Sequence, residues 1–156
     1  MLDSLCQALS EHGGGLSADS LKDLAAALQR RIEVFDCVYL FGSAASGEAG
    51  PLSDLDVALL FAESVPPEAR RESVNELAAQ VEGPERRRVD LVILNDAPAA
   101  LKHRVIRDGR PVFVGDEGRR VAFEQRAIRE FLDFQPVLET YDRALLARAR
   151  GGRLGA

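Results

Sequence analysis

The chain of 156 residues sets 25 acids against 20 Lys and Arg, a formal charge of -5, which excludes a dedicated nucleic-acid binder because phosphate contacts need clustered cations. Its 46% hydrophobic and 29% charged residues describe one globular domain able to bury a core without staples, and no apolar run has the length to cross a bilayer. Met1-Leu2-Asp3-Ser4-Leu5 has no basic region ahead of an apolar stretch, and Cys6 and Cys37 match no metal or redox spacing, so the expectation is a cytoplasmic chain with Cys37 as a buried reduced thiol.

In chain order, Gly13-Gly14-Gly15 reads as a hinge after a short N-terminal helix, together residues 1–15. Leu21, Leu24, Ala25, Leu28 and Ile32 then recur at helical spacing, with Ser17 placed to cap and Asp19 in the first turn. The apolar run Val34 to Phe41 predicts a strand ending at Gly42-Ser43, and small residues from Ala44 to Ser53 predict a loop. Asp54 to Ala62 predicts a second strand. Pro66-Pro67 opens a helix that presents Val74, Leu77, Ala78 and Val81, and Gly83-Pro84 stops it. Arg88 to Leu94 predicts a third strand. Asp96-Ala97-Pro98, with Asp96 as cap, starts a helix through Ile106 that ends at Gly109, and Pro111 to Val114 predicts a short edge strand. Residues 117–150 form a helical region with Ile128, Phe131, Leu132, Leu138, Tyr141 and Leu145 on its apolar side. Pro136 is expected to break or kink it near Gln135, and Gly151-Gly152 begins a frayed tail, 151–156. The pattern predicts a single domain, 1–156, of α/β (α+β) class, with a small mixed sheet of about four strands flanked by helices.

The chemistry-bearing residues sit at the strand ends. Asp54 and Asp56 are two apart on a predicted strand, so their side chains share a face with Cα atoms roughly 6.5–7 Å apart. Two such carboxylates repel unless a cation lies between them, and Mg2+ fits because it takes oxygen ligands from one or two protein carboxylates plus substrate phosphates. Asp90 interrupts the apolar run Arg88-Val89-Asp90-Leu91-Val92-Ile93, where an acid needs a reason. If its strand pairs beside the one carrying Asp54 and Asp56, the three acids converge, and Asp90 shares a metal or takes the proton from an attacking hydroxyl. Gly42 lets the backbone approach a phosphate, and the Ser43 hydroxyl with adjacent N–H groups donates to its oxygens if a short helix begins there. The chemistry that uses all these parts is two-metal nucleotidyl transfer. Asp36 and Asp108 read instead as surface or turn residues, and His12 and His103 as solvated or structural. Tyr141 and the phenylalanines of the last helix read as core or interface. Arg86-Arg87-Arg88 reads as a solvated strand edge, with holding a triphosphate as its minority role.

Leu40-Phe41-Gly42-Ser43, ten further residues and then Asp54-Leu55-Asp56 resemble the Gly-Ser-x10-Asp-x-Asp signature of the minimal nucleotidyltransferases of the polymerase-beta-like superfamily. The resemblance continues through Val89-Asp90-Leu91-Val92, Gly109-Arg110-Pro111-Val112-Phe113 and Phe131-Leu132-Asp133-Phe134-Gln135-Pro136. As a whole the chain resembles the MNT antitoxins of HEPN–MNT toxin–antitoxin modules. That resemblance implies a nucleotidyltransferase fold and an ATP- and Mg2+-dependent adenylyltransferase that adds AMP to a tyrosine of a HEPN RNase toxin in a type VII-like system. It implies that Gly42 and Ser43 bind the triphosphate and that Asp54, Asp56 and Asp90 hold two Mg2+ ions. One departure stands out: many relatives have Arg or Lys where this sequence has Ser46.

The chain is too short to enclose a small acceptor by itself, so the missing wall of the pocket is expected from a protein partner docked on the apolar, Arg-bearing C-terminal helix. Two other readings stay open: an antitoxin that neutralises by binding alone, and a nucleotidyltransferase for a small molecule such as an aminoglycoside. No membrane and no direct nucleic acid are expected as partners, and homo- or hetero-oligomers are both compatible with the sequence.

Overall fold

The computed structural model describes residues 2–12, 18–46, 54–81 and 89–151. The Gly13–Gly15 hinge, the Ser17 cap, the Gly83-Pro84 stop, the arginines at 86–88, most of the small-residue loop and the tail beyond Gly151 lie outside the described residues. Within them, helices α1 (Leu2–His12) and α2 (Ala18–Gln29) precede strand β1 (Phe35–Phe41). A four-residue helix α3 (Ser43–Ser46) follows, then strand β2 (Leu55–Phe61) and helix α4 (Pro67–Val81). Strand β3 (Val89–Ile93), helix α5 (Ala99–Asp108), strand β4 (Arg110–Val114) and helix α6 (Glu117–Gly151) complete the chain. The sheet order is β3-β2-β1-β4; β1 runs antiparallel to both β2 and β4, and β2 runs parallel to β3. The expected four-stranded mixed sheet is present, with β4 on its edge.

Every residue of β1 is buried, because the strand is central and both sheet faces are covered. Alternation splits the core in two. Leu40, Leu55, Val57, Leu59 and Phe61 join the buried leucines of α1, α2 and α4 on the first face. Cys37, Tyr39, Phe41, Ala58 and Leu60 meet Val105 of α5 and Phe123 and Ala127 of α6 on the second. Strict alternation would separate Phe35 from Val38, yet both lie on the first face. A bulge between Phe35 and Cys37 supplies the extra residue that makes this possible.

Four sequence expectations are corrected here. Asp36 is no surface residue: it sits buried at the bulge, where its carbonyl accepts the N–H groups of Gly115 (2.9 Å) and Asp116 (3.2 Å) and its carboxylate meets Arg119 at 3.2 Å. Asp96 does not cap α5. It lies in a 3-10 turn, Leu94–Asp96, and its carboxylate pairs with Arg70 at 3.6 Å, while Pro98 holds the cap position. Ile32 belongs to a separate 3-10 turn, because α2 ends at Gln29. Pro136 leaves α6 unbroken over 35 residues. The bond lost from its missing N–H falls on an exposed stretch, where water can hydrate the freed Leu132 carbonyl. His103 is structural as expected, stacked on Phe131 with ring centroids 3.9 Å apart, which ties α5 to α6.

Burial raises the Cys37 thiol to about 12. At pH 8 only about one molecule in 10⁴ then carries the reactive thiolate. A disulfide exchange reagent should therefore modify the half-buried Cys6 first and reach Cys37 only as the protein unfolds; rapid labelling of Cys37 in native protein, read by peptide mass, would contradict the packing.

Candidate active site

Register places the acids. Phe41 on β1 pairs with Asp56 on β2, and Asp56 pairs with Asp90 on β3. Laterally paired residues point to the same side of a sheet, so Asp56 and Asp90 project together with Cα atoms roughly 5 Å apart. Their flanking residues, Leu55 and Val57 on β2 and Val89 and Leu91 on β3, belong to the first face. The two acids are therefore on the second, the face on which α5 packs. Asp54 immediately precedes β2, and its charge acts on Asp56. Asp56 is half-buried, whereas Asp54 and Asp90 are exposed.

Burial and the neighbouring charges of Asp90 and Asp54 hold the Asp56 carboxyl above the usual carboxylate range, with Arg104 opposing the shift. The donors are all hard oxygens, the kind Mg2+ selects, and a divalent ion would remove the repulsion that raises Asp56. Among the described residues no three His, Cys, Asp or Glu side chains are already gathered as a metal cage. That is compatible with Mg2+, which usually completes its octahedron with phosphates and water.

The turn after β1 needs glycine. Gly42 has φ of 68°, and a Cβ there would collide with the Asp56 carboxylate. The backbone thus passes directly beside the acid. Ser43 opens α3, whose turn is closed by Ala45 N–H and Ser46 N–H donating to the Gly42 carbonyl at 3.2 and 3.4 Å. The Ser46 hydroxyl donates to the Ser43 carbonyl at 3.2 Å. No Lys or Arg occurs anywhere from Gly42 to Ser53, so this loop offers a phosphate backbone and hydroxyl donors but no cation.

A cavity of about 480 Å³ lies elsewhere, between the other end of the central strands and α6. Its cations already face carboxylates: Arg70 with Asp96, Lys102 with Glu130, Arg119 with Asp36 and Arg126 with Glu63. Sequence reading missed Asn95, whose side-chain amide donates to the Phe61 carbonyl (2.9 Å) and accepts the Phe61 N–H (3.0 Å), fastening the turn after β3 to β2. It also missed Arg104. Only the packing of α5 over the second face brings that side chain near Asp56, and no local motif announces it.

The family model for polymerase beta, nucleotidyltransferase, matches residues 22–118, more than half of the chain, and that span includes Asp54, Asp56 and Asp90. The chain belongs to that nucleotidyltransferase family. No curated protein matches it in sequence. Among solved structures, the nucleotidyltransferase resembles a toxin–antitoxin with AMP-PNP at 25% identity and TM-score 0.64, over 80% of this chain and 96% of that one. It resembles a mutant MntA–HpeT toxin–antitoxin at 26% identity and TM-score 0.62, over 84% and 98% of the two chains. It shares its fold with a chain of the tri-AMPylated HEPN toxin–MNT antitoxin complex of Shewanella oneidensis, at 22% identity and TM-score 0.59, over 81% and 98%. The match is to an MNT-type nucleotidyltransferase.

The raised Asp56 carboxyl predicts a sign for stability. In the window between the unfolded carboxyl pKa, about 3.9, and the higher folded value, the native state binds more protons, so stability falls as pH rises. With metal chelated, Asp56→Asn should therefore melt higher than the parent at pH 7, and the gap should shrink as the pH drops below 4. Thermal melts in EDTA from pH 3 to 7.5 test this; a variant that melts lower at pH 7 contradicts the charge assignment.

Proposed function

We propose that this nucleotidyltransferase transfers AMP from ATP to a tyrosine of a partner HEPN-type RNase toxin, silencing it as the antitoxin of a type VII-like module. The observation that carries the reading is the lateral row Phe41–Asp56–Asp90, with the Gly42-Ser43 turn pressed against Asp56. The row sets the Gly42-Ser43 turn and the Asp56–Asp90 pair at one end of the sheet, with Asp54 just ahead of β2, and that supports reading the turn as a phosphate site. A relative of this fold is a toxin–antitoxin with AMP-PNP, and another is a complex whose HEPN toxin is tri-AMPylated.

In this reading Gly42 and Ser43 hold the triphosphate, and Asp54, Asp56 and Asp90 hold two Mg2+ ions. The ions would supply Lewis acidity to the acceptor oxygen and charge neutralisation to the leaving pyrophosphate. Asp90, on the exposed side of the row, accepts the proton of the tyrosine hydroxyl. The new phosphoester bond forms as the α–β phosphoanhydride bond breaks, and pyrophosphate leaves in line. Asp54, just ahead of β2, and Asp56 within it are two residues apart on one chain segment, so their spacing is set by backbone geometry.

The acceptor side of this site is open, and α6 is the surface on which a protein would close it. From Leu132 to Arg148 every side chain but the half-buried Leu138 is exposed. Leu132, Val137, Tyr141 and Leu146 are each more than half exposed. A helix of this length gains little stability alone and much from a partner along its apolar stripe. The cytoplasm is the compartment that this function requires.

Co-expression with the adjoining toxin, followed by intact mass measurement, should show additions of AMP units that vanish in Asp54→Asn/Asp56→Asn and in Asp90→Asn. A toxin neutralised by complex formation without added mass would favour an antitoxin acting by binding, and turnover of an aminoglycoside with no protein present would favour the small-molecule reading. Leu132→Glu/Tyr141→Glu should weaken the complex at least tenfold by calorimetry while leaving Mg-ATP binding intact; unaltered toxin affinity would remove α6 from the interface.

A further inference from the structure

We infer that Arg104 supplies the cation that this nucleotidyltransferase sets against the phosphates of its nucleotide, a positioning role that rests on the nucleotide-binding part of the proposed function. Helix α5 lies over the second face of the sheet, with Val105 fully buried there and Leu101 and Ile106 packed beside it. Arg104 precedes Val105 on that helix, and its charge acts on Asp56 as well as on Asp108 of its own helix. Asp56 projects to the face on which α5 packs, so the helix carries Arg104 on the acid's side of the sheet.

The neighbouring cations of α5 are engaged elsewhere: Lys102 reaches Glu130 at 3.0 Å, and Arg107 pairs with Asp108 at 2.7 Å. Arg104 is exposed and makes no ion pair or hydrogen bond within the described residues. An arginine whose charge reaches Asp56 but that closes on no carboxylate is free to face a second, anionic body bound against that acid. Arg110 is a poor substitute, because it is in register with Leu40, whose side chain faces the first core.

The loop from Gly42 to Ser53 contains no basic residue, so its donors to a phosphate are neutral. A triphosphate brings roughly four negative charges to a site that already holds three acids. Two divalent ions balance only part of that sum, and a guanidinium that can chelate two phosphate oxygens in its plane offsets one more of those charges. The same guanidinium disfavours a bound metal in the absence of nucleotide, since like charges repel. The two ligands therefore respond to loss of Arg104 with opposite signs, and a general structural defect would not produce that pattern.

The experiment measures binding of Mg-ATP, magnesium tripolyphosphate and Mg2+ alone by calorimetry to the parent, Arg104→Ala and Arg104→Lys, together with melting temperatures. The expected result is a loss of roughly tenfold or more in affinity for both polyphosphates in Arg104→Ala, with most of it restored in Arg104→Lys. Mg2+ affinity should be slightly higher, and the melting temperature unchanged. With toxin as acceptor, the loss should fall on KM for ATP more than on kcat. Equal Mg-ATP affinity in parent and Arg104→Ala overturns the inference, as does a loss found instead in an alanine triple variant of Arg86, Arg87 and Arg88. Arg104-dependent Mg-ATP binding with no AMP added to the toxin upholds the inference while overturning the toxin reading.

Discussion

Two carboxylates that repel one another, Asp56 and Asp90, held side by side by strand register with Asp54 just ahead of β2, are the constraint around which this structure is arranged. Asp56 cannot move away from Asp90, because the two occupy paired positions on adjacent strands buried in a sheet. It cannot move toward β1 either, because the Gly42 backbone already occupies that side. Burial first, and the neighbouring charge of Asp90 after it, hold the Asp56 carboxyl above the usual carboxylate range. A cation bound there would relieve the repulsion, so folding and the proposed function would be linked through the same charges.

The rest of the fold makes the crowding affordable. Two apolar layers cover the sheet, one built with α1, α2 and α4 and the other with α5 and α6. The first layer anchors β2 through Leu55, Val57, Leu59 and Phe61, which leaves the alternate positions of the same strand for chemistry. Further along, Asn95 clasps both backbone groups of Phe61, and the bulge at Asp36 brings Arg119 of α6 against the central strand. These polar fastenings lie at the end of the strands opposite the acids. One end of the sheet is pinned, and the other carries unbalanced charge.

The second apolar layer is also what joins the active edge to the outer helix. His103 on Phe131 and Lys102 on Glu130 bind α5 to α6, and α5 carries Arg104, whose charge reaches Asp56. A partner seated on the bare stretch of α6 would therefore touch a helix packed directly on the one that overhangs the site. That proximity gives the proposed protein acceptor a reason to bind where it does.

Much of this was legible in the amino-acid order. The spacing of Asp54 and Asp56, the glycine before Ser43 and the isolated acid at 90 each follow from local rules, since a strand's two-residue period and a turn's need for positive φ are written within a few neighbours. The four strands were readable for the same reason. What only tertiary structure decided depends on residues distant in sequence. The order β3-β2-β1-β4 put Asp90 beside Asp56 rather than one strand away. The burial of Asp36 required α6 to return with Arg119, and the pairing of Asp96 with Arg70 required α4 to lie across the turn after β3. The approach of Arg104 required α5 to cover one particular face. Local chemistry sets backbone period and turn, whereas which charges meet is settled by how the elements pack, and packing energy is summed over the whole chain.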